Sequence, residues 1–424
     1  MHAPNLRTAS LSLFAALAVG CVDNSGSGAS APPVVNQGPA AALNGIDTDA
    51  DGDGDGIVDL PATVPALIGD VFDRYSAIPT ANGGRVHLLA QAGVDDRRLI
   101  RAREVLRQHL TDVPGSAQGA DKRAVADAMS NRGATLVIFQ SPATANPALP
   151  AVAAFLAAFD AQAWGLIQNT IVIEGSPEYM AASPAIDNTF GATAALVHRT
   201  GFATARPAHF AAARSMMEAA IAAGRFTPPN ALPASDFDDA YVGLLLDVHS
   251  GVWAHDPLGN GRAGTTASYA FASRPSMQAG DPSALAWIEA FFAPQHSYPA
   301  QVASTFAGNF DCILRSNLAY TNRSQYLRDV TLTGTNTSEI FGAREATRLV
   351  GNAGNNNLKG RAGNDLLISG GGLDTAVFDG PFAEYTITLD GTDVIVTDSQ
   401  PSRDGTDRLQ GFDRLQFTDQ GINL

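Results

Sequence analysis

A chain of 424 residues, 45% of them hydrophobic, is long enough for two or more domains and too apolar to stay disordered throughout. Its 27 Lys and Arg against 42 Asp and Glu leave a formal charge of -15. That balance argues against a nucleic-acid partner, which needs clustered cationic side chains, and suits a soluble protein that attracts cations.

Residues 1–21 read as an export signal. Arg7 supplies a modest positive start, Leu11 to Val19 are apolar, and Leu17-Ala-Val-Gly-Cys21 places small residues before a cysteine. The apolar run is too short to span a bilayer and is expected to be cleaved. Leu17–Cys21 resembles the lipobox of bacterial lipoproteins, which implies lipidation at Cys21 and a membrane contact through that lipid alone. Ala18 in place of Leu departs from the pattern, and simple cleavage and release is the alternative. Only Cys21 and Cys312 occur, so no disulfide framework exists and Cys312 is expected to be a buried free thiol.

Residues 22–46, rich in Ser, Gly, Ala and Pro, read as a flexible linker. Residues 47–62 carry an acidic run in which Asp51, Asp53, Asp55 and Asp59 alternate with glycines and an apolar anchor. Ca²⁺ takes six to eight oxygens, and alternating carboxylates on a curled loop supply several of them. The spacing resembles the calcium loops of EF-hands and thrombospondin type 3 repeats. Ala62 stands where an EF-hand has its bidentate Glu, so the lone thrombospondin-like repeat is the closer match, with a solvated acidic linker as the alternative.

Residues 63–330 read as a mainly α (α+β) domain. Helical patterns run over Val94 to Leu110, Asp121 to Arg132 with Asp121 as N-cap, Phe190 to Thr200, Pro207 to Ala223, Asp236 to Ser250 and Ser283 to Phe292. Thr135 to Phe139 and Thr170 to Glu174 are β-branched, apolar runs expected to be buried strands. Arg97, Arg98, Arg101 and Arg103 are expected on a solvated helix face, and Trp164, Trp253 and Trp287 in the core or at its rim.

From Thr333 the chain falls into blocks of nine: TGTNTSEIF, GAREATRLV, GNAGNNNLK, GRAGNDLLI and SGGGLDTAV. The eighth place holds Ile340, Leu349, Leu358, Leu367 and Ala376, and the last blocks approach G-G-x-G-x-D-x-U-x. This resembles the repeats-in-toxin, or hemolysin-type, calcium-binding family. The resemblance implies a parallel β-roll over 331–378, closed by an antiparallel β cap over 379–424. Turn glycines and Asp would then hold Ca²⁺ between neighbouring turns. Only Asp365 and Asp374 place a carboxylate at the sixth position, opposite Thr347 and Asn356. One or two ions are therefore expected, held by Gly363, Asp365, Gly370, Gly372 and Asp374 with carbonyls from Gly351 to Asn356.

No G-x-S-x-G elbow, H-E-x-x-H motif or phosphate-binding glycine loop occurs, so no complete catalytic motif is present. His198, Asp247 and His249, on two helices, are the transition-metal candidates. The stretch resembles secreted proteins that place a Glu and an additional His upstream on the first helix. Gly191, Ala192 and Ala195 stand at those places, so the general base is missing. The favoured reading is a calcium-binding exported surface, outer-membrane or extracellular protein with a surface or matrix partner. The alternative is a secreted metal-dependent, peptidase-like hydrolase or its degenerate copy.

Overall fold

The computed structural model describes residues 43–159, 161–181, 187–229, 232–252, 262–263 and 267–424. The export signal with Cys21, most of the linker, and Trp253 lie outside them. The described residues form two compact units. Of these residues the first unit takes 43–171, 187–249 and 262–293, and the second 172–181, 250–252 and 294–424.

The first unit is built on a five-stranded sheet of order β1-β2-β3-β4-β5, where the strands are Val58–Asp59, Arg74–Pro79, Arg85–Ala90, Thr135–Phe139 and Ala163–Ile167. β1, β2 and β3 are antiparallel neighbours; β3, β4 and β5 run parallel, with Leu88 beside Leu136 and Leu136 beside Trp164. Parallel neighbours need crossovers, supplied by α1 (Asp96–Leu110) with α2 (Arg123–Asn131), then by α3 (Pro142–Phe159). Every residue of β4 and β5 is buried, as a strand covered on both faces requires. Tyr75, Leu89, Val137, Phe139 and Ile167 share a core with Val152, Phe155 and Leu156 of α3. On the helical side follow α4 (Thr189–Val197), a π-helical turn over His198–Phe202, α5 (Pro207–Ala222), α6 (Phe237–His249) and α7 (Pro282–Glu289).

The unit mixes α and β, helix-rich around one five-stranded sheet with parallel strands. Three expectations change here. β5 is Ala163–Ile167, and the β-branched Thr170–Glu174 is not a strand. Gln168–Thr170 turn as a short 3₁₀ helix, and the Glu174 carbonyl instead accepts the Ala303 N–H within the second unit. Hydrogen bonding to β4, not side-chain branching, decided which run paired. Lys122 holds the N-cap position of α2, while Asp121 accepts from the Arg123 N–H at 3.1 Å. The end of the linker is packed: Leu43 and Ile46 are buried, and the Tyr75 hydroxyl donates to the Leu43 carbonyl at 3.1 Å.

The arginines of α1 also differ from a solvated face. Arg101 and Arg103 are buried. Arg101 reaches Asp187 at 2.7 and 3.2 Å and Thr189 at 2.8 Å. Arg103 pairs with Glu104 at 2.8 Å and donates to the Asp55 carbonyl at 2.7 Å. Arg101→Met leaves the Asp187 carboxylate buried beside an apolar chain. The expected cost is about 3–5 kcal/mol, read as a lower denaturation midpoint; an unchanged midpoint would contradict the buried pair.

The second unit is a parallel roll with two facing sheets. One has the order β6-β8-β10-β12-β16-β15-β14, the other β7-β9-β11-β13-β17-β18. In chain order the strands are Ala300–Val302 (β6), Gly308–Asp311 (β7), Asp329–Leu332 (β8), Ser338–Phe341 (β9), Arg348–Val350 (β10), Asn357–Lys359 (β11), Leu366–Ile368 (β12), Thr375–Val377 (β13), Tyr385–Asp390 (β14), Asp393–Asp398 (β15), Thr406–Gln410 (β16), Arg414–Gln416 (β17) and Gly421–Asn423 (β18). Along the two parallel ladders an apolar residue of each strand is buried over that of the next coil. Ala300, Val330, Leu349, Leu367 and Leu409 stack on one side, and Phe310, Ile340, Leu358, Ala376 and Leu415 on the other. All ten are at most 1% exposed, and each buried large side chain contributes roughly 1.5–3 kcal/mol.

The nine-residue register locates the middle of this stack but not its ends. The first coil begins at β6, inside the stretch expected to belong to the helical domain. A further coil, β16 and β17, lies inside the expected cap. Only the hairpin β14–β15 and the terminal β18 are antiparallel. A parallel ladder needs one apolar residue per strand and matching backbone spacing, so coils without glycine-rich turns can still join it.

Candidate metal centre

The repeats place two ladders of side chains at the turns of the roll. On one, Asp365 Oδ1 accepts from the Thr347 N–H at 2.6 Å and from its hydroxyl at 2.7 Å. On the other, Asp374 Oδ1 accepts from the Asn356 N–H at 2.6 Å. Each carboxylate therefore stitches its coil to the one before. The other oxygen of each, Oδ2, is buried without a hydrogen-bond partner. Burial pushes the Asp374 carboxyl up to about 6, and burial likewise raises Asp365.

An orphaned carboxylate oxygen in an oxygen-lined turn is what a hard cation satisfies. The turns leave room for it because they are built of glycine. A Cβ at Gly360 would lie 2.3 Å from Asp365 Oδ2, and one at Gly370, whose φ is +90°, would lie 2.3 Å from the Gly351 carbonyl oxygen. Gly363 and Gly372 also hold positive φ, with successive turns packed against each other. The residues fit calcium: Asp365 and Asp374 with turn carbonyls would hold it, and it would supply the charge their free oxygens lack. Gly370→Ala is expected to strain the turn by about 1–3 kcal/mol and to weaken the calcium response of the roll, measured by thermal unfolding with and without calcium. An alanine variant with the wild-type response would contradict this.

Residues beyond the repeats join both ladders. The pairing of β12 with β16 sets Asp407 beside Asp365, and Asp407 Oδ1 accepts from the Asp365 N–H at 3.0 Å. The pairing of β13 with β17 sets Asp413 beside Asp374, and Asp413 Oδ2 accepts from the Asp374 N–H at 2.9 Å. The sequence reading missed both. The signal was present: Asp407-Arg-Leu409 and Asp413-Arg-Leu415 repeat the carboxylate-to-apolar spacing of Asp365-Leu-Leu367 and Asp374-Thr-Ala376.

The acidic loop is arranged differently. Gly52, Gly54 and Gly56 hold φ of 74°, 75° and 74°, curling the chain as expected. Asp53 Oδ1 accepts from the Asp55 N–H at 2.9 Å, and Asp55 Oδ1 from the Ile57 N–H at 2.7 Å. Asp59 pairs with Arg74 at 2.6 Å, and Asp51 is exposed. The loop is thus held by turns and by an arginine.

The helical candidates are each engaged separately. His198 is buried in the π-helical turn, its Nδ1 2.7 Å from Asp239 Oδ1 and its ring stacked on Phe210. Asp247 Oδ1 accepts from the Gly191 N–H at 2.8 Å; a Cβ at Gly191 would sit 2.7 Å from the other oxygen, so glycine is what lets α4 and α6 meet. His249 Nε2 lies 3.5 Å from Glu289, and burial lowers this histidine to about 4. The structure does not bring the three together. Among the described residues, no group of three or more His, Cys, Asp or Glu side chains is placed to hold a metal ion. Cys312 is a buried free thiol, and no helix among the described residues is long and apolar enough to cross a membrane.

Fold and site together define a parallel β-roll with calcium-type turns. Residues 341–376 match the RTX calcium-binding nonapeptide repeat in four copies, and these repeats bind Ca²⁺. Among solved structures the chain is similar to the extracellular lipase LipA from Serratia marcescens, at 20% identity, with a TM-score of 0.11. That likeness covers 20% of this chain and 14% of the lipase. No curated relative matches the chain.

Proposed function

We propose that this is an exported, calcium-binding protein of the cell surface or extracellular space, whose C-terminal roll orders when it meets calcium outside the cell. The reading is carried by the unpartnered Oδ2 atoms of Asp365 and Asp374, buried in turns where the repeat match falls. Metal binding that completes a fold is folding free energy, so a calcium-poor cytoplasm and a calcium-rich exterior switch the roll between states. The export signal of residues 1–21 and lipidation at Cys21 supply the route and the anchor, and a surface or matrix component is the partner.

Equilibrium dialysis of the whole chain at millimolar calcium, with far-ultraviolet circular dichroism on the same samples, tests the calcium half. At least one bound ion and a gain in strand signal are expected. No bound calcium, or identical spectra with and without it, removes the proposal. Metabolic labelling with palmitate tests the anchor. Incorporation into the wild type and its loss in Cys21→Ala are expected, and an unlabelled wild type favours release.

A further inference from the structure

We propose that His198 and His209 hold a copper(I) ion between their Nε2 atoms, in an aromatic box within the first unit. The site lies apart from the roll and stands whether or not the roll binds calcium.

His198 begins the π-helical turn after α4, a rare conformation that recurs at functional sites. Its Nδ1 lies 2.7 Å from Asp239 Oδ1 of α6. Arg199 holds the other oxygen of that carboxylate, Oδ2, at 2.6 and 2.7 Å. A carboxylate fixed in this way accepts the Nδ1–H, which leaves the ring's lone pair on Nε2. Nε2 is buried and has no hydrogen-bond partner. A metal-binding imidazole is set up in the same manner, its other nitrogen oriented by a carboxylate.

The second nitrogen comes from α5. His209 is 8% exposed, and its Nε2 is likewise buried without a partner. Both rings meet the same two aromatic side chains. Trp287 stacks on His209 at 4.4 Å between centroids and stands edge-on to His198 at 6.3 Å. Phe202 lies edge-on to both, 5.2 Å from His209 and 5.9 Å from His198. Phe210, next to His209 in sequence, stacks on His198 at 4.5 Å. Rings thus cover the imidazole faces, and Nε2 at each edge is left to a ligand.

The donors select the ion. Calcium and magnesium take oxygen, and zinc takes four ligands, whereas among the described residues no third His, Cys, Asp or Glu joins these two. Copper suits imidazole, and in its monovalent state it accepts two ligands in line. The local charge favours a single positive ion. Arg199 faces two buried carboxylates, Asp236 at 3.1 Å and Asp239 at 2.6 Å, which leaves one negative charge over. A monovalent cation on His198, beyond Asp239, offsets that charge.

Anaerobic titration of the full chain with copper(I), buffered by bicinchoninate, tests this. One equivalent is expected to bind, with two nitrogen neighbours and no sulfur in its X-ray absorption spectrum. Tryptophan fluorescence is expected to fall, because Trp287 stacks on a ligand. His209→Phe keeps that stack and removes the nitrogen. Its affinity is expected to drop by more than the roughly 10–100-fold that losing a ligand's orienting partner costs. Repeating the titration in EGTA is expected to change nothing, since the roll takes no part. A wild type that takes up no copper(I) overturns the site. So does a sulfur neighbour, which places the ion on a cysteine, or a four-coordinate spectrum. His209→Phe binding as tightly as the wild type overturns it too, and the wild-type spectrum decides alone where that variant does not fold.

Discussion

Chelation of calcium with EGTA lowers the unfolding temperature of the roll by about 15 °C, while the first unit unfolds where it did before. Two sites at a hundredfold calcium excess over their dissociation constants each add about 2.7 kcal/mol, and in a body of this size 1 kcal/mol moves the midpoint by a few degrees. The physical cause is the pair of orphaned oxygens on Asp365 and Asp374, buried in the absence of a donor. Without calcium each aspartate is either ionised at a desolvation cost or protonated, and both weaken the ladder. Asp365→Asn and Asp374→Asn should each remove part of the shift, and the double variant most of it. Calorimetry with and without EGTA measures this. Two midpoints that do not move, or a double variant that responds like the wild type, would refute it.

Acid is expected to act on the other unit. His87 and His249 are lowered to about 4 and His109 to about 3, in each case first by burial, and all three lie in the first unit. The unfolded chain takes up these protons near the ordinary histidine value of about 6.5, and the folded chain only near 3 to 4. The stability present above pH 6.5 is therefore lost as pH falls toward 4, at roughly 3 kcal/mol per histidine. On the order of 10 kcal/mol in total is comparable to the whole stability of a domain. Trp164 and Trp287 are buried in this unit and report its unfolding. Their fluorescence should show a cooperative transition above pH 4, and His87→Gln should move that transition to lower pH. Native fluorescence down to pH 4 would count against buried neutral histidines.

The contrast between the units explains what the sequence made legible. In the roll the period is nine residues, each strand carries one apolar residue, and glycines mark the turns, so Ile340 to Ala376 could be laid in register by inspection. The period then breaks at Asp379, because a hairpin intervenes, and Asp407 and Asp413 fell outside the frame although they copy its spacing. In the first unit the strong helices were visible as apolar stripes: Val94 to Leu110 became Asp96–Leu110, and Pro207 to Ala223 became Pro207–Ala222. The helix Pro142–Phe159 was hidden by Pro147 and Pro150, which weaken helix signals locally even where packing on a sheet sustains the helix. The burial of Arg101 was illegible because its partner, Asp187, is 86 residues away and nothing local announces it. The same holds for His198, whose carboxylate partner Asp239 comes from another helix.

The excursion between β12 and β16 also sets an order of events in folding. Leu349 and Leu367 are 18 positions apart along the chain, whereas Leu367 and Leu409 are separated by 42. Closing the longer loop costs about 0.8 kcal/mol more in chain entropy, and its reward arrives only once a folded edge exists to receive β16. The coils from Arg348 to Val377 should therefore form as a local spiral, with β16, β17 and the hairpin condensing onto them afterwards. Pulse-labelled hydrogen exchange should find the amides of 348–377 protected before those of 406–416. The C-terminal coil is then the slow clasp of the roll, and until it closes the freshly formed edge at β12 is an open template for other strands.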